Sequence, residues 1–161
     1  MDGGATLALV ARITLAAAFA YSAAGKLANL AAFAHALGDF GVPRSGLVAP
    51  ALPVVEAGLA ILLVAVRDQP WPAFLATGVL AVFTGAVVAS LLSGAAKPCP
   101  CFGPPGADAR PVSAATVARN GCLVALAVIG SGSTDGASAT AAIGSAVVTV
   151  PLTLAALRRY G

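Results

Sequence analysis

Residues 74–92, FLATGVLAVFTGAVVASLL, run from Phe74 to Leu92 without one charged side chain. A bilayer's hydrocarbon core is spanned by ~20 predominantly apolar residues in a helix, and a helix that is apolar on every side belongs in lipid or deep in a core. The rest of the chain repeats the condition. Leu7–Ala24 is broken only by Arg12, and Leu47–Val66 holds Pro50, Pro53 and Glu56. Ser113–Ile129 carries Arg119 and Asn120 behind a candidate N-cap at Ser113, and Ala137–Leu157 is uncharged but contains Pro151. Composition agrees: 59% of residues are apolar and 9% charged, against roughly 25% charged in a soluble domain. The chain is therefore expected to fold all-α, as a polytopic membrane helical bundle of four to five transmembrane helices.

No fixed-period repeat or separate soluble domain interrupts this pattern, so residues 1–161 read as one integral-membrane domain in a lipid bilayer. The net charge of +3 comes from basic residues that mostly mark helix ends and loops. They form no stripe with interleaved aromatics, so nothing points to nucleic acid. The first span could be mistaken for a signal peptide because AFAYSA, residues 18–23, offers small-x-small sites. Asp2, the lack of an early Lys and Arg12 inside the apolar region favour a retained helix. Between the first two spans, LANLAAFAHALGDF from Leu27 to Phe40 is too short to cross. Leu30, Phe33, Ala34 and Leu37 fall on one face of it, predicting an interfacial or re-entrant helix that ends at Gly38 or Gly41. Small residues at four-residue spacing, Ala81, Gly85 and Ala89 in one span and Ala137, Ala141 and Ser145 in another, suit close helix packing.

The informative residues are those lipid should exclude. Arg12, Lys26, His35, Asp39, Glu56 and Arg119 lie in or beside apolar segments, where an ionised group costs ~2.5 kcal/mol or more at the bilayer centre. They are expected to face the bundle interior or to snorkel to an interface. Glu56 follows Pro53 by about one helical turn, and Arg12, Lys26 and Arg119 are its candidate partners. One reading is a buried ion pair that fixes helix register; the other is a polar pocket that passes protons or binds a small cofactor, for which a quinone head group is the candidate. His35 is the sole histidine, which argues against metal ligation and leaves a proton-accepting role.

The segment KPCPCFGPPG, residues 97–106, carries two of the three cysteines, Cys99 and Cys101, beside Lys97. A disulfide closed across one intervening residue is hard to build with good geometry, and strained disulfides are the oxidising, labile ones. Lys97 favours the reactive thiolate. So short a loop restrains little of the unfolded chain, which suits exchange better than stapling. Two rivals compete. Zinc needs about four ligands, where the chain offers Cys99, Cys101, the distant Cys122 and His35; alternatively, the pair stays reduced and inert. Cys122, inside an apolar span, reads as a small buried hydrophobe.

Arg12, AGKL at 24–27, FGVP at 40–43, ALPVVEAG at 51–58, CPCFG at 99–103 and RN at 119–120 together resemble the MauE family of methylamine-utilisation membrane proteins, related to the DoxX-like group. The resemblance covers about residues 10–130, with Cys-x-Cys-Phe-Gly as its specific part. It implies a membrane component of thiol–disulfide oxidoreductase chemistry, acting with a thioredoxin-like partner in the maturation of exported proteins. On that resemblance Cys99 and Cys101 would exchange disulfides, and Arg12, Lys26, Glu56 and Arg119 would form the polar interior. The alternative is a non-catalytic scaffold or small-ligand carrier in which CPCFG is a stiff corner.

If every span crosses, Lys26, Arg44, Lys97, Arg110, Arg158 and Arg159 share one side of a cell membrane and Arg67 faces the other. The positive-inside rule makes the thiol side cytoplasmic, whereas disulfide formation usually belongs to the extracytoplasmic face. The charge count favours the cytoplasm, and treating Lys26 and Lys97 as pocket residues would reconcile the two.

Overall fold

The structure, a computed structural model, describes residues 3–92 and 114–132. These residues form α1 (Gly3–Ala28), α2 (Leu30–Asp39), α3 (Ser45–Ala65), α4 (Trp71–Leu92) and α5 (Ala114–Gly130), with no strand among them. The helices α1, α3 and α4 are long and apolar enough to cross a membrane, while α5 is a shorter apolar helix of 17 residues. The expected span at 137–157 and the Cys99/Cys101 segment lie outside the described residues.

Each long helix contributes a stripe at three- and four-residue spacing, the period that keeps one face inward. On α1 the buried stripe is Arg12, Leu15, Phe19, Ser22 and Lys26; on α3 it is Ala49, Pro53, Glu56, Leu59 and Leu63. On α4 it runs through Ala73, Ala76, Leu80, Phe83 and Val87, and on α5 through Asn120, Leu123 and Ala127. These stripes interlock in one core that includes Leu15, Phe19, Leu63, Leu80 and Ala127. Helix α1 packs on α3 and α5, and α4 packs on the same two, closing a four-helix ring. Contacts from Arg12 to Val66 and Gly130, and from Asn120 to Thr84, show that sequential long helices run antiparallel.

Outside, the pattern is inverted relative to a soluble protein. Leu7, Ile13, Leu47, Val54, Ile61, Phe74 and Val82 are all at least half exposed or nearly so, whereas Lys26, Glu56 and Asn120 are buried. An apolar exterior with the polar groups drawn inside is the arrangement lipid demands. Ala81, Gly85 and Ala89 are only partly buried, flanking the true α4 stripe.

Helix α2 matches the amphipathic segment. Asn29 caps its N terminus, its side chain accepting from the Ala32 amide at 3.2 Å. It stops because Gly41 adopts φ +77°, letting the amides of Gly41 and Val42 donate to Gly38 and Leu37 at 2.8 and 3.0 Å. This left-handed cap favours glycine, and Val42 closes against the cluster containing Leu37.

Candidate functional site

Two buried charge centres occupy opposite ends of the core stripe of α1. At the first, Lys26 Nζ donates to Glu56 Oε1 and Oε2 at 2.7 and 2.8 Å. Lys26 is 1% exposed and Glu56 0%. One turn earlier on α1, the Ser22 hydroxyl donates to Glu56 Oε1 at 3.2 Å and also accepts from Lys26 Nζ. Two aromatic rings complete the surroundings: Phe33 of α2 and Phe83 of α4 have centroids 5.6 and 5.3 Å from Nζ, within range of cation–π attraction. One ammonium thus engages side chains from α1, α2, α3 and α4.

Local sequence explains this placement. Ser22 and Lys26 are four residues apart, so α1 stacks them on one face. Pro53, buried in α3, has no N–H for the Ala49 carbonyl and loosens the helix just before Glu56. Mutual neutralisation is what makes the arrangement tolerable: an unpaired charge at this depth would bear its full desolvation cost.

At the second centre, Arg12 donates to backbone carbonyls and, among the described residues, hydrogen-bonds to no carboxylate. Its Nε donates to Gly130 O at 2.6 Å, one terminal nitrogen to Val66 O at 2.8 Å and the other to Gln69 O at 2.6 Å. Those oxygens belong to the last residue of α5, the C-cap of α3 and the α3–α4 turn, where helices leave carbonyls unpaired. The approach is tight at Gly130: a Cβ there would stand 3.1 Å from Arg12 Cγ, so the arginine would have to shift.

The expected polar interior is therefore brought together in part. Lys26, rather than Arg12 or Arg119, partners Glu56. Arg12 is buried but caps helix ends, and Arg119 is exposed on α5, a correction to its expected inward position. The residue beside it, Asn120, faces in: its amide donates to Thr84 Oγ1 at 3.3 Å, and its buried Oδ1 has no hydrogen-bond partner among the described residues. Cys122, expected to be buried, is exposed. His35 and Asp39 lie on the exposed face of α2. Ser22, Phe33 and Phe83 were not singled out for the polar centre; Ser22 was detectable, since it shares the α1 stripe with Lys26. Because Lys26 is consumed in the ion pair, it drops out of the loop charges that bear on orientation.

These observations define a polytopic helical-bundle membrane protein with a buried Lys–Glu centre. The family model for methylamine utilisation protein MauE matches residues 4–132, and the chain belongs to the MauE family. No curated protein and no solved structure matches it significantly.

Proposed function

We propose that this chain is the membrane component of a thiol–disulfide relay supporting maturation of exported proteins, as in methylamine utilisation, with Cys99 and Cys101 as the exchanging thiols. The oxidised pair accepts two electrons and two protons from the dithiol of a thioredoxin-like partner, through a mixed disulfide. The partner becomes a disulfide and the Cys99/Cys101 pair a dithiol. A quinone is the candidate acceptor that returns the pair to its oxidised form, being reduced to quinol in the same two-electron step.

Beyond family membership, one observation carries this reading. Residues 93–113 join Leu92 of α4 to Ala114 of α5, and both stand at the bundle end to which Lys26 points. Phe83, whose ring meets Lys26, is only nine residues before Leu92, about 14 Å of helix rise. The thiol-bearing segment is thus attached on the side of the polar centre. With Lys26 removed from the count, Arg44, Lys97 and Arg110 against Arg67 still favour the cytoplasmic side for that end.

A second reading, a non-catalytic scaffold or small-ligand-binding membrane protein, draws on the closure of the Lys26–Glu56 pair, whose groups are bonded to each other. Replacing Cys99 and Cys101 together by Ser separates the two. The relay requires a disulfide-containing client protein to accumulate in reduced form in cells carrying the double variant. Client oxidation at the wild-type rate would leave the scaffold reading.

A further inference from the structure

Helices α1, α3, α4 and α5 share one core, but α2 stands apart from it. Its buried side chains, Phe33 and Leu37, form a separate cluster with Ala49 of α3, against which Leu30, Ala34, Val42, Val48 and Leu52 also pack. Both of its links are non-helical: Asn29 at φ −144° precedes it, and the turn after it contains Gly41 at φ +77° and Arg44 at φ +55°. A segment seated on a cluster of its own, outside the main core, can open as a unit at lower free energy than that core. What ties α2 to the polar centre is Phe33. This ring is 1% exposed, and its centroid lies 5.6 Å from Lys26 Nζ.

We propose that α2 is a lid over the Lys26–Glu56 centre, held shut in part by the Lys26 ammonium acting on the face of Phe33. The apolar cluster supplies the charge-independent part of the seat. The cation–π contact supplies a part that disappears when either the charge or the ring is removed. Phe83, on α4, keeps its own contact with Nζ at 5.3 Å when α2 lifts, so the ammonium retains a ring and its carboxylate in the open state. Opening uncovers the centre at the bundle end to which residues 93–113 attach, giving a small polar molecule or a partner side chain a route to Glu56. The lid does not depend on the thiol chemistry proposed above.

Hydrogen exchange of the full-length protein in lipid nanodiscs tests it. Phe33→Leu keeps an apolar side chain in the cluster but removes the π face, while Lys26→Met with Glu56→Leu removes the charge without stranding its partner. Both variants are expected to exchange the α2 amides about tenfold faster than wild type, with α1, α3 and α4 unchanged. Unchanged α2 exchange in either variant overturns the proposal. So does an equal rise across all helices, which would make Phe33 an ordinary fold contact.

Discussion

Arg12 and the Lys26–Glu56 pair lie on the same stripe of the same helix, about 21 Å apart along α1, and hold buried charge in opposite ways. Arg12 spreads its charge over three backbone carbonyls from three chain segments. The partial negative charge at helix C termini suits a cation there, and the planar guanidinium can fork toward acceptors that a single ammonium could not reach together. Lys26, in the last turn of α1, instead takes a side-chain carboxylate from the middle of α3, a hydroxyl and two rings. What the neighbouring helices present decides which residue type can be buried: arginine against the ends of α3 and α5, a lysine–glutamate pair against the middle of α3.

This contrast makes graded predictions. Breaking the pair at one member should have the largest effect. Glu56→Ala or Lys26→Ala strands a buried charge and is expected to lower stability by about 3–5 kcal/mol, seen as loss of folded protein in a detergent-denaturation series. Replacing both members with Met and Leu should recover most of that loss; equal damage from the double variant would mean that the pair contributes more than neutralisation.

At the other centre the cost is smaller, because a helix end near an interface can be rehydrated. Arg12→Ala removes three charge-assisted hydrogen bonds and is expected to cost about 2–3 kcal/mol. Arg12→Lys should recover only part of it, since one ammonium cannot reproduce the fork. Full recovery by lysine would erase the distinction between the two centres. Gly130→Ala presses a methyl against Arg12 Cγ at 3.1 Å and should lower thermal stability by about 1 kcal/mol, with no further loss when added to Arg12→Ala.

The smallest effect is expected at Asn120. Its Oδ1 is buried without a partner among the described residues, and Thr84 Oγ1 already donates to Leu80 O at 2.7 Å. Asn120→Leu therefore removes an unsatisfied acceptor without orphaning Thr84, and stability should stay within about 1 kcal/mol of wild type or rise. A loss of several kcal/mol would mean that the amide oxygen is bonded in the native membrane.

The sequence made the helices legible and left their partners open. Long apolar runs located α1, α3, α4 and α5, and the apolar face of Leu30, Phe33 and Leu37 located α2, because these patterns are written in residue order. That Glu56 needs a cation also followed from burial. Which cation did not, since pairing depends on how α1 turns against α3. Arg12 was readable as buried but not as a cap, because its acceptors are backbone atoms that no side-chain pattern advertises. Arg119 and Asn120 differ by one residue, a rotation of about 100° on a helix, and polarity alone did not decide which faces inward. The spacing Asn120, Leu123, Ala127 does decide it, because it carries the α5 stripe through Asn120 and past Arg119.

The function proposed for the chain stands or falls on Cys99 and Cys101. The direct test is to trap thiols in growing cells with acid, alkylate them with a mass-tagged reagent, and read the native protein by gel shift with Cys122→Ser as background. A relay component predicts a mixture of oxidised and reduced pairs that shifts toward reduced when the downstream acceptor is depleted. A pair that stays fully reduced under every condition contradicts the account.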